Sequence, residues 1–171
     1  ISKGIGMVHQ HFMLVPSLTV AENIILGVAP KKGLFIDMDK AVKAAEDIAK
    51  EYNFDIDVRQ KVEEIPVGIK QKVEILKALY RGAEILILDE PTAVLTPQET
   101  DELFIQLMKL REKGHTIIFI SHKLDEIKKI CDRATIMRNG RSMGTYDVKD
   151  ISTQEMSRLM VGREVSLKFD K

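Results

Sequence analysis

The sequence predicts an α/β protein built on a parallel sheet, and three observations lead to that fold class. The run Glu84 to Thr92 holds four consecutive branched apolar residues, then two carboxylates and a proline. A second apolar run, Thr116 to Ile120, follows it after a well-marked helix. Because strand, capped helix and strand form a βαβ unit, the two strands should be parallel. The lack of polar alternation in the first run also predicts a strand covered on both faces.

The composition fits one globular domain and excludes several classes of function. The 171 residues are 44% apolar and 30% charged, which is typical of a folded soluble chain. Basic and acidic residues number 26 each, so no net charge attracts nucleic acid or an anionic membrane. The single Cys131 excludes a disulfide framework within the chain. Since the first residue is isoleucine rather than methionine, and the chain opens close to a strand, we expect a piece of a longer protein.

The first part of the chain predicts a short strand and a capped helix. The strand covers residues 5–9, and Gln10 follows it directly. Thr19 and Glu22 have the spacing of a capping box and should begin the helix. Residues 27–33, which hold two glycines, a proline and two lysines, are predicted as a surface loop.

Two more helices are expected before the Glu84 run. Asp37 or Asp39 should begin the first of them. The second is predicted over Lys70 to Tyr80, after a rigid turn set by Pro66 and Gly68. Such a turn leaves backbone N–H groups at the positive end of the helix, which suits an anion, although many helices begin this way and bind nothing.

The second half of the chain carries clear signals for helix ends and turns. Thr96 and Glu99 form a capping box around a proline in the first turn, and Gly114 should end that helix. Asn139-Gly140 is typical of a two-residue hairpin turn after a strand. A last helix, capped by Ser152, should end at Gly162.

Polar side chains follow three of the predicted strands, and they are the candidate site. Gln10, the pair Asp89-Glu90, and His122 each come directly after an apolar run. Parallel strands place such residues along one crevice at their carboxyl ends. Asp89 is a candidate magnesium ligand and Glu90 a candidate base for an attacking water, as nucleotide hydrolysis requires. Alone, the carboxylates could be an acidic turn and His122 a structural histidine; their convergence favours a site.

These segments together resemble the nucleotide-binding domain of an ABC transporter. Five motifs in order, spread over nearly the whole chain, carry the resemblance: Val8-His9-Gln10, Leu18 to Ile24, Val67 to Ile75, Ile85 to Thr92, and Ile120-Ser121-His122. The resemblance implies a partial P-loop NTPase (RecA-like) core, residues 1–11 and 82–171, with helices on both faces of a parallel sheet. It also implies an inserted all-α subdomain, residues 12–81.

The resemblance gives each candidate residue a role toward ATP and Mg²⁺. Gln10 corresponds to the Q-loop glutamine, which contacts magnesium and water, and Asp89 to the Walker B aspartate, the other magnesium residue. Glu90 corresponds to the catalytic glutamate, and His122 to the switch histidine that contacts the γ-phosphate. Gly68 is the residue kept from the family signature, which acts on the ATP held by the opposite domain.

The implied function is that of an ATP-binding importer subunit, which couples ATP binding and hydrolysis to uptake of a simple sugar or nucleoside. The segment Asp89 to Glu99 and the ending Leu159 to Glu164 are similar to the first of two fused domains in such importers. The D-loop position, Ala93 to Thr96, touches that second nucleotide-binding domain. Other implied partners are transmembrane permease subunits, docked through the helical subdomain, and indirectly a substrate-binding protein, but no nucleic acid. The implied location is cytoplasmic, peripheral on the inner face of the cell membrane.

Two departures from the family pattern limit these implications. No G-x-x-x-x-G-K-[ST] occurs in the chain, so the loop that cradles the phosphates is missing and the chain alone is predicted to be inactive. The family's Leu-Ser-Gly-Gly-Gln signature reads Ile65 to Ile69 here, and Pro66 removes a hydroxyl and a backbone donor. We therefore expect a weakened composite site. The missing part should also leave an unpaired sheet edge beside Thr116 to Ile120.

Two other hypotheses stay open. The chain could belong to a non-transport ABC-type ATPase, although the compact stretch Gln10 to Gly68 has no room for the coiled-coil insertion usual in repair enzymes. It could also be a catalytically degenerate regulatory ABC domain, for which Pro66 is the best argument. A substitution at Glu90 separates an enzyme from a regulatory domain.

Overall fold

A computed structural model describes residues 3–32 and 35–162 of the chain. The strands are β1 (Ile5–Val8), β2 (Lys31–Lys32), β3 (Phe35–Ile36), β4 (Ile85–Asp89), β5 (Thr116–Ile120), β6 (Arg133–Arg138) and β7 (Arg141–Asp147). The helices are α1 (Val20–Ile25), α2 (Met38–Glu51), α3 (Val67–Tyr80), α4 (Pro97–Glu112), α5 (Leu124–Ile130) and α6 (Thr153–Val161). The chain divides into two compact units, one ending at Ile120 and the other beginning at Ser121.

The first unit is built around a parallel sheet with the strand order β1-β4-β5. Val8 lies opposite Leu88, and Asp89 lies opposite Ile120, with both pairs of strands parallel. The parallel α/β sheet predicted from the sequence is therefore confirmed. Among the described residues β5 is an edge strand, as the sequence predicted, and β6 pairs only with β7.

One face of this sheet forms the core of the first unit. Leu86 and Leu88 of β4 are fully buried on it. Helix α4 packs on the same face, where Phe104 meets Phe119 of β5 edge to face with 5.9 Å between ring centroids. The two isoleucines that alternate with these leucines are only half-buried. The prediction that β4 is covered on both faces therefore holds for one face and only in part for the other.

Helix α3 packs against β1 through a close approach at Gly6. A Cβ placed on Gly6 would lie 2.9 Å from the Cβ of Ala78 and 2.8 Å from the Cβ of Ala83. Real carbon atoms do not approach so closely, so any larger residue at position 6 would push the helix away from the strand. The small residues on both sides fix how near α3 lies to the sheet.

Helix α1 begins with the predicted capping box. The Thr19 N–H donates to the Glu22 carboxylate at 2.7 Å, and the Glu22 N–H donates to the Thr19 hydroxyl at 3.2 Å. The fully buried Asn23 then fixes the preceding loop, because its side chain accepts from the Val15 N–H at 2.7 Å and donates to the Val15 carbonyl at 3.1 Å. The loop and the helix therefore form one braced segment.

The predicted loop over residues 27–33 was wrong in part. Its residues Lys31–Lys32 form β2, which pairs antiparallel with β3, so the segment expected to be all-helical also carries a short hairpin. Strands of two residues are too short to show apolar alternation, so the turn-forming composition of the segment hid them. Helix α2 follows, and Asp37 rather than Asp39 caps it by accepting from the Lys40 N–H at 3.2 Å.

Helix α3 starts three residues before its predicted start. Pro66 is the N-cap residue, and its carbonyl accepts from the N–H groups of Ile69 and Lys70 at 3.1 and 3.0 Å. The sequence suggested a turn because proline and glycine stand there. Proline has no N–H, but a residue at a helix start needs none because it has no partner within the helix. The fixed φ of proline also suits that position, so the helix begins directly after Pro66.

The second unit consists of the β6–β7 hairpin with α5 and α6. Asn139 and Gly140 both have positive φ, 49° and 72°, as the predicted two-residue turn requires. Gly162 ends α6 in the left-handed conformation, as predicted. The last two residues of the family-like ending, Arg163 and Glu164, lie outside the described residues. In the described ranges, no helix has the length and apolar character needed to cross a membrane.

Candidate functional site

The carboxyl end of β4 carries the two predicted carboxylates. Asp89 is the last residue of the strand, and Glu90 follows it with φ of 46°, in the left-handed region that non-glycine residues seldom adopt. The Glu90 N–H donates to the Ile120 carbonyl at 2.9 Å, which ties this turn to the end of β5. A strained backbone held in place by its surroundings is common at functional sites.

Gln10 reaches the same edge of the sheet from β1. Val8 and Leu88 are paired in the parallel register, so Gln10 and Glu90 each stand two residues beyond a paired position. Gln10 is exposed, while Asp89 and Glu90 are half-buried. The structure therefore brings three of the four predicted site residues to one edge of one sheet, as parallel strands require.

The fourth residue, His122, belongs to the second unit. It is exposed and stands two positions before α5, where the Lys123 N–H donates to the Ser121 hydroxyl at 3.1 Å. Its approach to the carboxylates of β4 stays a prediction.

Two successive turns lead from Glu90 to α4. The Ala93 N–H donates to the Glu90 carbonyl at 3.1 Å, and the Leu95 N–H donates to the Thr92 carbonyl at 3.3 Å. Thr92 is fully buried, whereas the Val94 side chain is 59% exposed. The segment predicted to face an opposite domain, Ala93 to Thr96, is therefore a well-bonded connector with an apolar side chain at its surface.

The start of α3 is in contact with the start of α4 through one carboxylate. Oε2 of Glu99 accepts from the N–H and the hydroxyl of Thr96, at 2.9 and 3.0 Å. Oε1 of the same residue accepts from the N–H of the buried Gly68 at 3.2 Å. A Cβ on Gly68 would lie 2.6 Å from that oxygen, so the contact requires glycine.

These hydrogen bonds lower the pKa of Glu99. Donation from the Thr96 backbone is the largest cause that lowers the pKa of this carboxyl below its ordinary value, and the Thr96 hydroxyl follows. Partial burial opposes the shift, while the Gly68 N–H and the Lys72 ammonium add to it. A negative charge therefore stands at the positive ends of α3 and α4.

The sequence predicted only half of this arrangement. The bond between Glu99 and Thr96 is a local capping box, but the bond to Gly68 joins residues 31 positions apart and leaves no local signal. Gln71 was also missed. It is 3% exposed, its Nε2 finds no hydrogen-bond partner among the described residues, and it lines a cavity of about 210 Å³ with Gly68 and Glu99.

The residues at the sheet edge fit a magnesium ion that arrives with a nucleotide. In the described part of the chain, no three His, Cys, Asp or Glu side chains are grouped closely enough to hold a metal. Magnesium seldom needs such a cage, because it is usually held by one or two carboxylates together with waters and phosphate oxygens. The Asp89 carboxylate and the Gln10 amide oxygen are ligands of that kind.

The chain is similar to several import ATP-binding proteins. It is 55% identical over 168 residues to the guanosine import ATP-binding protein of Bacillus subtilis, covering 98% of this chain and 33% of that protein. It is 50% identical to the nucleoside import ATP-binding protein of Lactococcus lactis, with 98% and 33% covered. It is 41% identical to the galactose/methyl galactoside import ATP-binding protein of Fusobacterium nucleatum, with 100% and 34% covered. The chain spans about a third of these relatives' length.

Solved structures and a family model agree with these relatives. The protein cbiO1 of Clostridium perfringens, part of the ABC transporter complex cbiONQ, matches 98% of this chain and 65% of its own with a TM-score of 0.73 and 26% identity. A nucleotide-free ATP-binding cassette from an ABC transporter matches 97% of this chain and 69% of its own, with a TM-score of 0.72 and 21% identity. These matches confirm the predicted fold class. The ABC transporter family model covers residues 1–93, and the chain therefore belongs to the ABC transporter family.

Proposed function

We propose that this chain is part of the ATP-binding subunit of an importer, in which ATP binding and hydrolysis drive uptake of a simple sugar or nucleoside. The observation that supports the proposal is the parallel register of β1 and β4, because Gln10, Asp89 and Glu90 follow the paired residues at the same end of these strands. The guanosine, nucleoside and galactose import proteins among its relatives support the class of cargo.

Each residue at the sheet edge would have a different role in ATP hydrolysis. Asp89 and Gln10 would hold Mg²⁺, which neutralises charge on the phosphates when it is bound. Glu90 would orient a water molecule and accept its proton, for which its fixed turn beside the metal residues is well placed. His122 would contact the γ-phosphate from the second unit.

The 171-residue chain alone should not hydrolyse ATP, since it lacks the G-x-x-x-x-G-K-[ST] loop that positions the phosphates. Incubation of the chain with Mg²⁺-ATP checks this directly. Turnover by the chain alone would contradict the proposal that a phosphate loop elsewhere in the protein completes the site.

The proposed partners are a second nucleotide-binding domain and transmembrane permease subunits. Residues 12–81 would dock on the permease, and two observations support this. Met13 and Val28, on either side of α1, are 63% and 55% exposed. The chain around them is braced, because Lys77 donates to the Met13 carbonyl at 2.7 Å and Arg81 donates to the Leu26 carbonyl. A protein with these partners would lie in the cytoplasm, on the inner face of the membrane.

The test is Mg²⁺-dependent ATP hydrolysis by the full-length protein and its Glu90→Gln variant. We expect turnover to fall about a hundredfold or more, because loss of a general base typically costs that much, while ATP binding is kept. Glu84→Gln is the matched control, since it removes the same charge from an exposed residue just before β4, at the amino end of the strand and away from Glu90. Equal turnover by parent and Glu90→Gln would remove the assignment of Glu90.

A regulatory domain without catalysis is the second candidate. It is favoured by Pro66, which provides no side-chain cap at the start of α3, where the family signature carries a serine. A full-length parent that binds ATP, hydrolyses none and still changes association with a permease would support this candidate instead. An active ATPase that associates with no permease would indicate a non-transport ABC-type enzyme.

A further inference from the structure

Three N–H donors at the start of α3 already have acceptors, and one of these acceptors is a charged side chain of another helix. The N–H groups of Ile69 and Lys70 donate to the Pro66 carbonyl. The Gly68 N–H donates to Glu99 at 3.2 Å, and Pro66 has no side-chain acceptor that could replace that carboxylate. An anion that needed the Gly68 N–H would compete with Glu99 both for the donor and through charge repulsion.

A second observation at the same place points to an anion. Gln71 lines the cavity at the start of α3 with its side chain buried, and its Nε2 donor finds no partner in the described residues. Lys72 lines the cavity too, and its ammonium lies 2.9 Å from Glu102. A buried donor without an acceptor is costly, and an anion's oxygen is an acceptor that would satisfy it.

We propose that Glu99 is an internal anionic plug of the signature site. It holds the Gly68 N–H in place of a phosphate oxygen, and it must release that donor before a phosphate binds. The proposal rests on the proposed function, in which Gly68 acts on ATP held by a second domain. Release needs the carboxylate to turn away from Gly68 about its contact with Thr96, whose N–H and hydroxyl can continue to donate to the other oxygen. Glu99 thereby lowers the affinity of this signature for nucleotide.

The direct test follows the Gly68 amide in ¹⁵N-labelled 171-residue chain during titration with inorganic tripolyphosphate. We expect the Glu99→Gln chain to bind the anion about twofold to fivefold more tightly than the parent, the usual range for removing one charge at a helix start. Glutamine keeps an oxygen acceptor for Thr96, so the fold is retained. Glu112→Gln removes the same charge from the exposed far end of α4 and should match the parent.

Equal affinity of parent and Glu99→Gln would overturn the proposal, as would a Gly68 amide that responds in neither. If Glu99→Gln does not fold, Glu99→Asp replaces it. It keeps the charge, is too short to reach both Gly68 and Thr96, and should also bind the anion more tightly than the parent. Equal or weaker binding by Glu99→Asp would likewise overturn the plug.

A second measurement in the full-length protein separates this proposal from the proposed function. Glu99→Gln should lower the KM for ATP about twofold or more with kcat nearly unchanged, whereas loss of a merely structural contact would lower kcat or raise KM. If the KM of Glu99→Gln is raised or unchanged while Glu90→Gln loses turnover as expected, only the plug proposal is contradicted. If the Glu99→Gln chain binds the anion more tightly at Gly68 but the full-length protein hydrolyses no ATP, only the proposed function is contradicted.

Discussion

The starts of α3 and α4 differ in where their acceptors come from. Helix α4 caps itself, because Thr96 and Glu99 are three positions apart and satisfy each other. Helix α3 begins directly after Pro66, which provides no side-chain cap, and takes its acceptor from Glu99 on the other helix. A local motif therefore fixes one helix start, and a tertiary contact completes the other. The same carboxylate serves both, so changes around it should affect the two helices unequally.

The largest expected effect comes from Glu99→Ala, which removes the acceptor from both helix starts. We expect the free energy of unfolding to fall by about 2 kcal/mol, from one lost cap and one lost charged hydrogen bond at a half-exposed site. Urea denaturation of the chain, followed by circular dichroism, measures it. Glu112→Ala, on the same helix without a cap role, is the control. A loss below about 0.5 kcal/mol would show that the shared carboxylate does not stabilise the two starts.

Thr96→Ala should have a smaller effect, because it removes only the hydroxyl that caps the start of α4. We expect a loss of about 1 kcal/mol, the usual cost of an N-cap hydroxyl. Thr100→Ala, one turn further along α4, is the control and should cost nothing measurable. If Thr96→Ala lowered the free energy of unfolding as much as Glu99→Ala, the bond from Gly68 would contribute nothing. The start of α3 would then not depend on Glu99.

Gly68→Ala sets two effects of similar size against each other. The new Cβ would displace the Glu99 oxygen 2.6 Å away, while alanine favours the helix by about 1 kcal/mol over glycine. We expect little net change in the parent but a gain of about 1 kcal/mol in the Glu99→Ala background. A double-mutant cycle measures this coupling, and additive effects would mean that the two residues do not interact.

The smallest effect is a pH dependence of the shared cap. Folding lowers the pKa of Glu99, so the unfolded chain binds more protons than the folded chain in acid. The contribution of Glu99 to stability is therefore present above about pH 4.5 and is lost as the pH falls through the pKa of the folded state. The stability difference between parent and Glu99→Gln should therefore be constant near neutral pH and shrink in acid. Denaturation of both at several pH values measures it, and a difference that grows in acid would have the wrong sign.

Features set by neighbouring residues could be predicted from the sequence. The Thr19 and Thr96 capping boxes and the Asn139-Gly140 turn were predicted and confirmed, since each depends on residues within three positions. The parallel sheet followed from the order of apolar strands and capped helices. From that sheet, in turn, followed the position of Gln10 at the same end of the sheet as the carboxylates.

Features set by distant contacts could not be predicted. The start of α3 was misplaced because Pro66 and Gly68 look like a turn, and the acceptor that completes the helix start comes from α4. The half-buried face of β4 was missed because an apolar run does not say what covers it. The pairing of His122 with the carboxylates depends on how the second unit meets the first, and it stays a prediction.

Single-turnover hydrolysis tests the central claim, that the edge of the β1-β4-β5 sheet performs the chemistry, most directly. The full-length protein and its Glu90→Gln variant are loaded with γ-labelled ATP, and phosphate release from the bound nucleotide is followed after Mg²⁺ is added. We expect both proteins to bind ATP and only the parent to release phosphate at an appreciable rate. Release at equal rates from the two proteins would contradict it.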